Sequence, residues 1–271
     1  MKKETFTIAL VQLTSTDNIE ENVKKIHSFI KSASQQNVDL ISFPENCFFM
    51  RSPENDYVFQ ESLASHYISQ LQKMAKEQKI NIHVGSFPQK KSFSKKHYNS
   101  SFIIHDDGVL GPVYRKIHLF TLYDEAGEQH NEASTIACGK KLVLDEVAGW
   151  RIGLSICYDL RFPELYRSLS KQGVDLILVP SAFVVNTGKA HWHTLLKARA
   201  IENQVYVAAS AQWGKHSDAR TTYGHSLCVD PWGEIITELP EGEGMSVCEL
   251  SQTRIKEVQT KLPALKSRVL R

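Results

Sequence analysis

The chain has no run approaching the roughly 20 apolar residues that cross a bilayer, so no membrane span is expected. Its start, MKKETFTIALVQLTS, sets a basic region before an apolar stretch. That stretch is short, interrupted by threonine and without a small-residue cleavage site, so it reads as a first strand. An excess of one charge is also missing. Lys and Arg total 32 against 30 Asp and Glu, and a formal +2 gives no field that would favour nucleic acid or an anionic membrane as partner. No CxxC pair occurs, and five cysteines are an odd number, so neither a disulfide framework nor a zinc ribbon is indicated. Reduced thiols in a cytoplasmic, soluble protein are expected. Repeats and low-complexity tracts are lacking. What remains is 271 residues of ordinary globular composition, 42% hydrophobic and 23% charged, expected to fold as one domain over 1–271.

Thr5 to Leu13 carries a buried-strand pattern, and Asp17 followed by Glu20 signals a capping box for a helix with Ile19, Val23, Ile26 and Ile30 at helical spacing. A second strand is expected over Asp39 to Phe43, ending at Pro44 and Glu45. A helix with Ala64, Ile68, Leu71 and Ala75 on one face follows, then a strand over Ile80 to Phe87. Tyr98 to His105 and Val109 to Arg115 are joined through AspAspGly, a hairpin signal, and the pair ends at Lys116.

Residues 117–140 lack periodicity and hold His118, Asp124, Glu125, Glu128, His130 and Glu132; so long a loop in a compact domain is usually functional, and it is expected to wall a site. A strand over Trp150 to Ile156 then runs into Cys157, and Pro163 suits the first turn of a helix through Leu169. Later strands are expected at Asp175 to Val179, Val205 to Ala211, Tyr223 to Val229, Glu234 to Thr237 and Met245 to Leu250, with a helix over Ala190 to Asn203. Early βα units and later hairpins favour an α/β fold of sheets covered by helices rather than an all-parallel barrel.

Cys157 follows alternating Ile152, Leu154 and Ile156, so its side chain is expected at the carboxyl end of a strand, where α/β proteins place reactive groups. A thiol is only slightly ionised near neutral pH, and attack needs a base or a cation that lowers its pKa. Glu45, at the mouth of a buried strand, is expected to have its pKa raised by burial toward that of a base. Lys116 closes GlyProValTyrArgLys. Alone, each residue also reads as a packed thiol or a solvated charge. Together, three strands ending in Glu, Lys and Cys supply a base, an oxyanion partner and a nucleophile.

These residues stand within longer motifs. PhePro precedes Glu45, IleHisLeuPhe follows TyrArgLys116, GlyLeuSerIleCys157TyrAspLeuArgPheProGluLeu surrounds the cysteine, and AlaArgAlaIleGluAsn ends at Asn203. Over nearly its whole length the chain resembles the nitrilase superfamily of carbon-nitrogen hydrolases. The resemblance implies a four-layer α-β-β-α sandwich and a catalytic set of Glu45, Lys116 and Cys157, with Glu132 as an accessory glutamate. It implies hydrolysis through a cysteine thioester without metal or organic cofactor, and a homodimer or higher homo-oligomer.

CysTyrAsp at 157–159 is similar to the amidase branches, where nitrilases proper resemble CysTrpGlu, and implies a small-molecule amide substrate. Arg161 either grips a substrate carboxylate through a bidentate pair or pairs with Asp159 or Glu164. Resemblance to the branch acting on keto-acid amides favours substrate and draws in Thr187, with His118 and Tyr158 also taken as substrate-binding. The stretch 212–226, GlnTrpGlyLysHisSerAspAlaArgThrThrTyrGlyHisSer, is similar to that of deaminated glutathione amidases. An omega-amidase acting on 2-oxoglutaramate, or a binding module on the same fold, are the alternatives.

Ser155 reads as a strand residue. His191 and His193, two apart on a helix, make a poor metal pair and are expected in packing. Arg199 and Glu202 suit an i, i+3 ion pair. The basic tail, Lys256, Lys261, Lys266, Arg268 and Arg271, reads as a solvated helix face and a subunit-crossing tail.

Overall fold

Two six-stranded mixed sheets pack face to face in the computed structural model, which describes residues 2–52, 59–123 and 129–269. The first half of the chain runs β1 (Thr5–Gln12), α1 (Ile19–Ser34), β2 (Leu40–Ser42), α2 (His66–Gln78), β3 (Asn81–Lys90), β4 (His97–Ile104) and β5 (Tyr114–Arg115). A small ribbon, β6 (Thr121–Tyr123) and β7 (Gln129–Asn131), leads to a 3-10 turn at Glu132–Ser134. The second half runs β8 (Leu144–Val147), β9 (Trp150–Leu154), a 3-10 turn at Cys157–Arg161, α3 (Pro163–Lys171), β10 (Leu176–Leu178), α4 (Val185–Asn203) and β11 (Tyr206–Ala209). It ends with the ribbon β12 (Trp213–Ser217) and β13 (Arg220–Tyr223), then β14 (Leu227–Val229), β15 (Ile235–Glu238), β16 (Gly244–Ser251) and α5 (Gln252–Lys261).

The sheets have the orders β16-β1-β2-β3-β4-β5 and β15-β14-β11-β10-β9-β8. In each, three parallel strands joined through helices form the centre, and antiparallel strands flank them. The central strands are buried on both faces and therefore read as almost continuous apolar runs. Along β1, Phe6, Ile8 and Leu10 pack against the second sheet, while Ala9 and Val11 pack with Ile26 and Ile30 of α1 and Leu71 of α2. Trp192, Leu196 and Ala200 of α4 and Tyr166 and Leu169 of α3 join the second sheet's core. The layers are therefore helix, sheet, sheet, helix, as the resemblance implies. No helix among the described residues is long and apolar enough to cross a membrane.

Several elements differ from their sequence reading. The α1 cap is Asn18, whose side chain accepts the Glu21 N–H at 3.3 Å, not Asp17. Helix α2 starts after the Ser65 cap, which leaves Ala64 exposed outside it. The expected strand over Val109 to Arg115 shrinks to β5 and one bridge from Leu110 to Ile104, because Pro112 lacks a donor and a Cβ on Gly111 would stand 2.1 Å from Asp145 Oδ2. The Tyr223 to Val229 run splits where Gly224 and His225 both take left-handed φ, +72° and +57°, and the two halves pair in different sheets. Helix α4 begins five residues earlier than the apolar pattern suggests. The tail's Lys256 and Lys261 lie on the exposed side of α5, whose Ile255 and Val258 are buried, while Arg271 lies outside the described residues.

Candidate active site

The carboxyl ends of β2 and β5 in one sheet and of β9 in the other converge on one cavity of about 470 Å³. Glu45 follows β2 through Phe43 and Pro44 and is 2% exposed. Its loop is held from beneath by close backbone approach, since a Cβ on Gly85 of β3 would lie 1.9 Å from Phe43 O. Asn46 sits in the left-handed region and donates its N–H to Ser86 Oγ at 2.7 Å. Gln212 spans the sheets, donating from Nε2 to the Glu45 carbonyl at 2.9 Å and to Ser15 Oγ at 2.8 Å.

Lys116 directly follows β5 and is 1% exposed. Its Nζ donates to Glu45 Oε1 at 2.9 Å and lies 2.9 Å from Glu132 Oε2 and 3.1 Å from Oε1. Asn99 Nδ2 donates to the same Glu45 oxygen at 2.9 Å, and Phe120 N–H to Glu132 Oε2 at 2.8 Å. Burial opposes the ammonium, but the carboxylates of Glu132 and Glu45 outweigh it and hold Lys116 well above its ordinary value. The same balance corrects the expectation for Glu45. Burial works to raise its pKa, yet Lys116 and a hydrogen bond from Cys157 outweigh it and hold the carboxyl below its usual value.

Cys157 opens the 3-10 turn after β9 with a left-handed φ of +50°, and its N–H donates to Pro180 O at 2.9 Å. A non-glycine residue in that region is held there by its surroundings. Burial and then the Glu45 charge push its thiol well above the ordinary range. Cys47, also buried, is pushed up to about 12 and faces Ser86 O.

Tyr158, Arg161 and Thr187 line the cavity with Glu45, Glu132 and Cys157; His118 does not. Its Nδ1 lies 2.7 Å from Asp159 Oδ1, its N–H donates to the same oxygen, and its ring stacks on Phe162 at 3.7 Å. The buried Asp159 also accepts from Tyr114 Oη at 2.7 Å and Ile156 N–H at 2.9 Å, so it ties the cysteine turn to the strand end carrying Lys116. Arg161 is not its partner. The guanidinium lies over Phe183 and Tyr158, with Nη1 3.2 Å from His191 Nδ1, and no ion pair reaches it among the described residues.

Of the 117–140 loop, Phe120, Leu122, Asn131 and Glu132 wall the cavity, whereas Asp124, Glu125 and Glu128 and the His130 side chain lie outside the described residues. Sequence reasoning did not single out Asn99, Asp159 as an anchor, or Arg51 and Arg220, which also line the cavity.

Ser155 is a buried strand-end residue, bonded to Leu178 O and Tyr166 Oη. Arg199 and Glu202 pair at 3.0 Å. His193 meets Glu238 Oε1 at 2.8 Å, as does His225, and these three form the cluster with metal-ligand spacing among the described residues. They share no residue with the cavity.

The chain matches the model of the family described as carbon-nitrogen hydrolase over residues 7–260. It is 38% identical over 267 residues to a deaminated glutathione amidase of Synechocystis, covering 97% of this chain and 98% of that one. It is 41% identical over 244 residues to one of Dictyostelium discoideum, covering 86% and 83%. The crystal structure of Saccharomyces cerevisiae Nit3, a member of branch 10 of the nitrilase superfamily, superposes with a TM-score of 0.88 at 31% identity, covering 99% of this chain and 98% of that one. Agreement of sequence and fold from the first strand to the last helix makes this chain a carbon-nitrogen hydrolase of the nitrilase superfamily.

Proposed function

We propose that the protein is an amidase that cleaves a carboxylate-bearing amide through a thioester on Cys157, with deaminated glutathione as substrate. The observation that carries this reading is that Cys157 and Glu45 line one cavity while Lys116 holds the Glu45 carboxylate at 2.9 Å.

The proton balance follows from these contacts. Burial holds the thiol pKa up, and sulfur attacks the amide carbonyl as its proton passes to Glu45. The tetrahedral oxyanion is stabilised by the Lys116 ammonium and the Tyr158 backbone N–H; one such donor typically contributes about 3 kcal/mol of barrier lowering. The carbon-nitrogen bond breaks as Glu45 returns the proton to the leaving amine. A water molecule then gives its proton to Glu45 and attacks the thioester, with Glu132 assisting, and sulfur leaves as the thiol. The products from deaminated glutathione are 2-oxoglutarate and cysteinylglycine.

The names of the relatives support an amide of this kind. Arg161 and Thr187 in the cavity suit the keto-acid carboxylate. The same two residues would serve 2-oxoglutaramate, the omega-amidase substrate. Purified protein and Cys157→Ala are assayed on deaminated glutathione, 2-oxoglutaramate and a simple nitrile. Turnover of deaminated glutathione above the other two, lost in the variant, is expected; wild type no better than the variant on all three would end the amidase reading.

A further inference from the structure

The ribbon β12–β13 belongs to neither large sheet, yet it is pinned on both sides of the cavity. At its base, Gln212 donates to the Glu45 carbonyl, and Tyr223 N–H donates to Phe183 O at 2.9 Å. Thr222 bridges to Val184, ahead of α4. In its middle, the His216 imidazole lies 2.7 Å from both Ser15 O and Thr222 Oγ1. Arg220, the first residue of β13, is thereby held in the cavity wall, and its Nε is buried without a hydrogen-bond partner among the described residues.

The charges around the cavity do not cancel. Its two carboxylates, Glu45 and Glu132, are both taken by Lys116, whereas Arg51, Arg161 and Arg220 have no ion pair among the described residues. A substrate with one carboxylate answers one guanidinium. The lining suits a substrate with at least two anionic groups.

We infer that Arg220 binds a carboxylate on the leaving-amine side of the scissile bond, and so selects amides whose amine is itself an amino acid or peptide over amides of ammonia. This rests on the amidase reading above and deepens it. Arg161, on the Cys157 turn, holds the acyl side; Arg220, on the separate ribbon beside Glu45, holds the departing side. A buried, unpartnered guanidinium N–H is costly until an acceptor arrives, and a charged acceptor satisfies it best. Arg51 adds positive potential at the same cavity, with no ion pair among the described residues.

The assignment separates the two half-reactions. Deaminated glutathione and 2-oxoglutaramate leave the same acyl group on Cys157, so Arg220 affects acylation by the peptide and not the hydrolysis of the thioester.

The test compares kcat/KM on three probes: deaminated glutathione, the same compound with its terminal glycine carboxyl converted to a carboxamide, and 2-oxoglutaramate. Wild type is expected to prefer the free carboxylate over the carboxamide by about 10- to 100-fold, the usual size of one charge-assisted contact. Arg220→Leu abolishes that preference, and Arg220→Lys keeps part of it. Because each value is a ratio within one preparation, partial misfolding does not mimic the result. Wild type that hydrolyses the carboxylate and carboxamide equally well, or an Arg220→Leu variant that slows both by the same factor, overturns the role of Arg220 and leaves the amidase reading standing. Inactivity on all three probes overturns both.

Discussion

Lys116 Nζ and Glu45 Oε1 lie 2.9 Å apart in a site that leaves each residue no more than 2% exposed. Their opposite shifts define a pH window. The Glu45 pKa is lowered on folding, so its contribution to stability is full above the ordinary glutamate range, about 4.3, and is lost as pH falls through its folded value. The Lys116 pKa is raised, so its contribution is full below about 10.4 and is lost as pH rises through its folded value. The acid limb of kcat/KM is therefore expected below the usual glutamate range. An acid limb near neutrality would show a carboxyl raised by burial instead.

Asp159 meets four donors from three residues on two stretches of chain, which makes it the fastening between the cysteine turn and the strand end of Lys116. Asp159→Ala leaves the Tyr114 hydroxyl, the His118 N–H and ring, and the Ile156 N–H without their acceptor. Each unsatisfied buried group costs about 1–3 kcal/mol, so a total of about 3 kcal/mol or more is expected. For a chain of this size that lowers Tm by roughly 6–12 °C. His118→Phe keeps the stacking on Phe162, leaves Asp159 its other donors and should cost less. Thermal denaturation of the two variants checks the order; equal losses would mean that the imidazole, not the carboxylate, is the fastening.

The strand ends were legible because buried parallel strands are apolar runs with sharp limits, such as ValAspLeuIleSerPhePro before Glu45. What each side chain meets there was not. Asp159 looked like a local partner for Arg161, two residues on, but its acceptor capacity is filled by residues 41 and 45 positions away and by a backbone N–H. The direction of the Glu45 shift depended on Lys116 reaching the same carboxylate, a tertiary fact. Arg220 was hidden because Tyr223 to Val229 reads as one strand; the left-handed Gly224 and His225 that turn the ribbon onto the cavity leave no mark on apolar periodicity.

Gly85 tests how closely the Glu45 loop is supported. An added methyl would stand 1.9 Å from Phe43 O and 2.4 Å from Pro44 O, both backbone atoms that cannot rotate away. Gly85→Ala must push the end of β2 off β3 and carry Glu45 with it. A loss of about 3 kcal/mol or more, at the upper end for overpacking, is expected in chemical denaturation. The soluble fraction should show reduced kcat on deaminated glutathione. Wild-type stability in this variant would mean that the strand ends are less tightly packed than their geometry requires.

Arg161 tests the acyl side of the site. Its guanidinium is shelved on Phe183 and Tyr158 and oriented by His191 rather than by a carboxylate. A planar fork held in this way is ready for bidentate contact with a carboxylate, and lysine cannot reproduce that geometry. With Arg161→Leu, KM for 2-oxoglutaramate is expected to rise about 10- to 100-fold, the size of a charged hydrogen-bonded contact. Arg161→Lys should recover the charge but only part of the affinity. An uncharged amide of the same length, which offers no carboxylate, should lose much less than the keto acid in either variant. Equal losses on the charged and uncharged amides would assign Arg161 to packing of the cysteine turn, since a residue that only supports Tyr158 and Phe183 does not distinguish one acyl group from the other.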